Sequence, residues 1–190
     1  MQPGREVVVQ PLFQRLLGDA FDELAPRVRA LHTHPGTRRY RGGIEVERGR
    51  HPLARCAAWL THLPPAGRAP LEVEIVADAD GECWTRRVGS HAMRSRLRAH
   101  GGLLREYLGP VRFEFRLHAV DGGVAWTVVG VRAFGLPLPA RWFRGVDARG
   151  GETDGRYTFD VRASLPFAGL LAHYRGWLDV DGGGRARSGN

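Results

Sequence analysis

The sequence predicts a mostly β domain: a strongly curved antiparallel sheet or open β-barrel of about eight to ten strands, with two N-terminal helical segments packed on it. Three observations predict this. From about Leu71 to Val180 apolar and charged residues trade places at period two, which gives strands one buried and one wet face. The apolar positions are largely aromatic or β-branched, the types that suit a pleated, half-buried surface. Both segments with helical spacing come before this run. A β-sandwich is the alternative arrangement of the same strands.

Pro11 opens the first helix, in which Leu12, Phe13, Leu16, Leu17, Phe21 and Leu24 recur every three or four residues and form one apolar face. Pro26 suits the first turn of a continuation carrying Val28 and Leu31, so the helix is expected in two parts, ended by Thr33 to Gly36. From Arg38 to Arg48, Tyr40, Ile44 and Val46 alternate with charged residues, and Gly42-Gly43 marks a bulge or tight bend. Pro52 begins a second helix, Leu53 to Leu63, with Cys56, Leu60 and Leu63 on its apolar side and Pro64-Pro65 closing it. A proline-glycine link to about Pro70 follows.

The sheet then dominates. Leu71, Val73 and Ile75 form one strand face, Asp80-Gly81 turns the chain, and Trp84, Arg86 and Val88 share a face of the return strand. Met93, Ser95 and Leu97 follow, then Leu104, Glu106 and Leu108, then Val111, Phe113, Phe115, Leu117 and Ala119. Val124 to Phe134 is apolar on both faces, which predicts a central strand or one covered by the helices on its second side. Gly135 to Pro139 reads as a stiff connector, with Trp142 and Phe143 plugging one end of the sheet. The last strands run from Arg156 to Leu165, with Tyr157 and Phe159 inward, and from Tyr174 to Val180.

At 190 residues the chain is the size of one domain. Residues 1–10 read as a flexible N-terminus, 11–180 as the domain, and 181–190 as a disordered glycine-rich tail. No segment has the roughly 20 apolar residues that cross a bilayer, and no secretory pattern opens the chain, so the expected location is cytoplasmic. Cys56 and Cys83 are expected to be small buried hydrophobes. The net charge is +8, and all 28 of its Lys+Arg residues are arginine. That uniform choice reads as a solvated arginine-rich surface. It also excludes lysine Schiff-base and general-base chemistry. The run of arginines from Arg86 to Arg105 is not interleaved with stacking aromatics, since Phe113, Phe115 and Phe159 fall on the core face, which argues against nucleic acid. No metal site and no cofactor is predicted: His32 and His34 stand two apart beside a turn, with no third ligand marked.

Arg86 and Glu106 stand out because each puts a charge on an otherwise apolar strand face, where an unpaired ion costs several kcal/mol. They are expected to pair with each other, or with the backbone, as a structural polar cluster, or to build a site. In the second case Arg86, with Ser95 and Tyr157, offers donors to a ligand carboxylate, phosphate or enolate, and Trp84 and Tyr157 are walls. His91, beside Ser90, is expected on a solvent-exposed turn. Inward positions are mostly large, which limits any cavity.

Trp84-Thr85-Arg86-Arg87, Ser95-Arg96-Leu97, Glu106-Tyr107-Leu108-Gly109-Pro110, Gly135-Leu136-Pro137-Leu138-Pro139 and Tyr174-Arg175-Gly176-Trp177-Leu178, preceded by Leu12 to Gly18, resemble a bacterial family known as domain of unknown function 4166. The resemblance spans roughly Pro11 to Val180. Members stand alone or follow oxidoreductase domains resembling saccharopine dehydrogenase, which implies a small-molecule context and, for a lone domain, a separately encoded oxidoreductase as partner. It carries over no catalytic residue. Three readings result: a module binding a small, partly apolar, anionic ligand; a cofactor-independent cyclase, isomerase or hydrolase with Glu106 as acid or base; and an interaction domain docking on an oxidoreductase.

Overall fold

The structure, a computed structural model, describes residues 10–185, with side chains as far as Asp181. Pro11 leads into α1 (Leu12–Leu17), which buries Leu12 and Phe13. Gly18 ends it at φ 56°, a conformation that glycine takes without a Cβ clash. A 3-10 turn, Gly18–Glu23, carries Phe21 inward, and Pro26 starts α2 (Pro26–His32) in the expected two-part arrangement. The start of α2 is fastened to the sheet. The Ala25 N–H donates to the Gly122 carbonyl at 2.7 Å, and the Arg27 N–H donates to Glu152 Oε2 at 2.8 Å. A carboxylate thereby sits at the positive end of the helix.

The described residues then form eleven strands: β1 (Gly36–Arg48), β2 (Gly67–Ala77), β3 (Glu82–Val88), β4 (His91–His100), β5 (Leu103–Leu108), β6 (Val111–Val120), β7 (Gly123–Ala133), β8 (Leu136–Leu138), β9 (Gly145–Thr153), β10 (Arg156–Leu165) and β11 (Gly169–Arg185). Their order is β6-β5-β4-β3-β2-β1-β11-β10-β9-β7, and β6 pairs back with β7. Ten antiparallel strands thus close a barrel, which removes the sheet edges, while β8 lies beside the end of β7. Helices α1 and α2 plug one end, with Phe13, Leu24, Val28 and Leu31 packed into the inward core. Helix α3 (Pro52–Leu60) covers the other. Among the described residues no helix is long and apolar enough to cross a membrane.

Several expectations are corrected. β9 was not anticipated, because its inward residues Val146, Ala148 and Gly150 are too small to show aromatic alternation; hydrogen bonding to β10 on one side and β7 on the other makes it a strand. The apolarity of both faces of β7 comes from a bulge, not from covering helices. Phe115 pairs with Val128 and Glu114 with Gly130, so Val129 is extra and the inward phase shifts from Val124, Trp126 and Val128 to Val131. The irregularity of β1 lies between Arg39 and Arg41, beside the Gly42-Gly43 pair. Strand β2 begins at Gly67, inside the expected link. Helix α3 stops at Leu60 and buries Ala54 and Ala58 against the barrel, leaving Cys56 exposed, while Cys83 is half-buried. β11 runs on to Arg185; residues 1–9 of the expected flexible N-terminus and 186–190 of the expected tail lie outside the described residues.

Small residues set against large ones shape the interior. One inward row crosses five strands as Ile44, Gly176, Phe159, Gly150 and Val124. A Cβ on Gly176 would stand 2.1 Å from the Gly43 carbonyl oxygen and 2.6 Å from Phe159 Cζ. The first neighbour is strand backbone and has nowhere to move. Gly176→Ala is therefore expected to cost about 1–3 kcal/mol in urea unfolding, whereas Gly151→Ala, whose nearest neighbour is Thr158 Oγ1 at 3.7 Å, is expected to leave the midpoint nearly unchanged.

Candidate functional site

The inward face of β3 reads Glu82, Trp84, Arg86, Val88. Register places Trp84 opposite Ser95 of β4, and Leu97 of β4 opposite Glu106 of β5, so three adjacent strands bring the flagged polar residues together. Arg86 Nη1–H donates to Ser95 Oγ at 2.9 Å, and Arg86 Nη2 stands 3.7 Å from Glu106 Oε1. The guanidinium carbon lies 4.9 Å from the centre of the Trp84 ring, a cation–π contact. Trp84 Nε1–H donates in turn to Glu82 Oε2 at 2.7 Å. The Arg86 and Glu106 side chains are only 15% and 10% exposed, so the pairing that the sequence required is present.

This pair faces an internal cavity of about 180 Å³ at the α3 side of the helical plug. Trp84, Phe115, Trp126 and Tyr157 form its aromatic wall, and Val146, Ala148 and Gly150 of β9 leave the room that the sequence did not lead one to expect. Ala57 and Thr61 close it from the α3 side. Of the candidate residues, Trp84, Arg86, Glu106 and Tyr157 line the space. Ser95, 1% exposed, acts on it through Arg86.

One residue that lines the cavity and one that lies behind its aromatic wall are not among the candidates the sequence marks. Tyr174 of β11 lines the cavity, and burial pushes its phenol up to about 12, with Arg86 pulling it down and Glu106 pushing it up. Tyr157 is raised further above its ordinary value by burial, again opposed by Arg86. Both hydroxyls stay protonated donors at neutral pH. His32 is the second: it ends α2 just before the expected turn and lies outside the cavity lining, 2% exposed, stacked on Phe13 with ring centres 3.6 Å apart and 5.9 Å from Trp84. Among the described residues neither ring nitrogen has a hydrogen-bond partner. The alternation of Ala172, Tyr174, Gly176 and Leu178 carried the first signal; no sequence pattern carried the second. His91 stands at the start of β4, and its Nε2 lies 2.6 Å from the His62 carbonyl oxygen, tying β4 to the turn after α3.

The molecule is thus a closed ten-stranded antiparallel barrel, plugged by helices, that holds an ion pair against an apolar chamber. The chain belongs to the family described as domain of unknown function DUF4166, whose profile matches residues 24–178. Among solved structures it is similar to the crystal structure of Rv2717c from M. tuberculosis, at a TM-score of 0.41 and 14% identity, over 82% of this chain and 97% of that one. No match was found among curated proteins.

Proposed function

We propose that the barrel binds a small, partly apolar molecule bearing one anionic group, seated against Trp84 and Tyr157 with Arg86 as its polar anchor. The observation that supports this is an internal chamber whose lining is apolar and aromatic except for a few convergent polar groups. Its size sets the ligand class: an apolar cavity of about 150 Å³ holds benzene, so one ring or a short chain fits. Glu106 balances Arg86 but stands at 3.7 Å, beyond hydrogen-bond distance. An incoming carboxylate can therefore take the fork of Arg86 while the Tyr157 and Tyr174 hydroxyls donate.

Calorimetric titration with benzoate tests this. Binding is expected for the parent protein, and Glu106→Gln, which removes a competing carboxylate, is expected to tighten it by about threefold to tenfold while leaving neutral benzyl alcohol unchanged. Weaker benzoate binding in that variant, or none in the parent, contradicts the proposal. The enzymatic reading draws on the same buried Glu106 as acid or base. It predicts instead that Glu106→Gln retains binding and loses turnover.

A further inference from the structure

The two ends of the barrel differ in chemistry. The connections at the α3 end are residues 49–66, 89–90, 109–110, 134–144 and 166–168; those between strands at the other end are 78–81, 101–102, 121–122 and 154–155. Five of the eight large hydrophobic side chains exposed among the described residues lie in the first set: Leu53, Trp59, Phe134, Leu136 and Phe167, at 44% to 77% exposure. That set also carries Arg50, Arg55, Arg141 and Arg144, all exposed, and no aspartate or glutamate. The second set carries Asp78, Asp80, Asp121 and Asp154, all exposed, and no arginine.

The apolar groups form a rim rather than a scatter. Trp142 meets Phe167 edge-on at 5.2 Å, and the Phe134 N–H donates to the Pro110 carbonyl. A Cβ on neighbouring Gly109 would stand 2.8 Å from the Leu60 carbonyl oxygen at the end of α3. Singly exposed hydrophobic residues need no explanation, but an apolar rim at one pole does.

We propose that this pole docks on the surface of an anionic lipid bilayer. Tryptophan, phenylalanine and leucine are the side chains that settle at the headgroup boundary, and arginines among them attract anionic headgroups. The helical plug at the opposite pole sets Arg15, Arg27 and Arg29 against Asp19, Asp22 and Glu23, so the four turn aspartates leave that pole net acidic, and repulsion from the same surface orients the molecule with α3 towards the lipid. An acidic protein surface would use the arginines but leave Trp59, Phe134 and Leu136 without an apolar phase to enter. A second copy would bring arginine against arginine.

Co-sedimentation with vesicles tests this, using phosphatidylcholine alone or with about 30% phosphatidylserine, the charge being what attracts the arginines. The protein is expected to partition to the anionic vesicles and to be released by salt. Trp59→Ala with Phe167→Ala, and separately Arg55→Glu with Arg141→Glu, are each expected to lower partitioning by about tenfold. Arg96→Glu with Arg98→Glu changes the net charge equally on exposed β4 positions and is expected to change it by less than about threefold. No partitioning at low salt overturns the proposal, as does equal uptake by neutral vesicles or an equal loss in the β4 pair. All six positions are exposed, and the unfolding midpoint of each variant confirms that it remains folded.

Discussion

Arg86→Met is expected to destabilise the barrel by about 3 kcal/mol or more and to abolish binding of benzoate. The cost comes less from what Arg86 contributes than from what its loss leaves behind: a Glu106 carboxylate 7% exposed, with the one cationic partner it has among the described residues removed. The Ser95 hydroxyl and the Trp84 ring lose their partner in the same step. Glu106→Gln should cost less, because a neutral amide needs no counter-charge and Arg86 keeps Ser95 and Trp84. The double variant Arg86→Met, Glu106→Leu should recover much of what the single loses, since well-packed apolar residues in place of a buried ion pair are often neutral or stabilising. Urea unfolding of the parent, Arg86→Met, Glu106→Leu and the double variant closes the cycle. Additive effects would show that the pair is not coupled, and so would detach the anchor from the acid that balances it.

The second large effect is a pair of opposed pH dependences inside the core. Burial lowers His32 from its ordinary 6.5 to about 3, and burial raises Glu82 from 4.5 to about 7 against the pull of the Trp84 hydrogen bond and of Arg15. Between about pH 3 and 6.5 the unfolded chain protonates His32 and the folded one does not, so stability is lost as pH falls through that window. Between about 4.5 and 7 the folded chain keeps a proton on Glu82 that the unfolded one has released, so stability is lost as pH rises. From 4.5 to 6.5 the two slopes, each about 1.4 kcal/mol per pH unit, cancel. Relative to the parent, Glu82→Gln is then expected to lose roughly 3 kcal/mol on acidification across those two units. His32→Phe is expected to show the opposite slope. At neutral pH His32→Phe should also stabilise, because it removes two unpartnered ring nitrogens from a stack with Phe13. Unfolding curves at half-unit pH intervals check both, and parallel curves for all three proteins would refute them.

The sequence announced the sheet wherever inward residues were large. Trp84, Leu97, Leu104, Phe115 and Leu178 mark their strands by alternation, and all are buried in the core. It was silent where the barrel needed small residues. Val146, Ala148 and Gly150 make β9 look like a loop, yet they open the cavity and supply the hydrogen bonds that close the barrel. The site divides the same way. Arg86, Glu106 and Ser95 were legible because a charge on an apolar face must find a partner, and register then made them neighbours. Tyr174 was hidden because a tyrosine on an inward face resembles ordinary core. His32 was hidden because no local pattern shows that a helix end enters a barrel. The cavity depends on which strand lies opposite which, and that is set by closure of the whole sheet.

Native mass spectrometry of the freshly purified protein, followed by mass analysis of what denaturation releases, decides whether the barrel holds an anionic ligand on Arg86. The expected result is a single small acidic molecule bound one to one, or an empty protein that takes up benzoate one to one and fails to do so as Arg86→Met. An empty protein that takes up no benzoate, or takes it up equally well without Arg86, would contradict it.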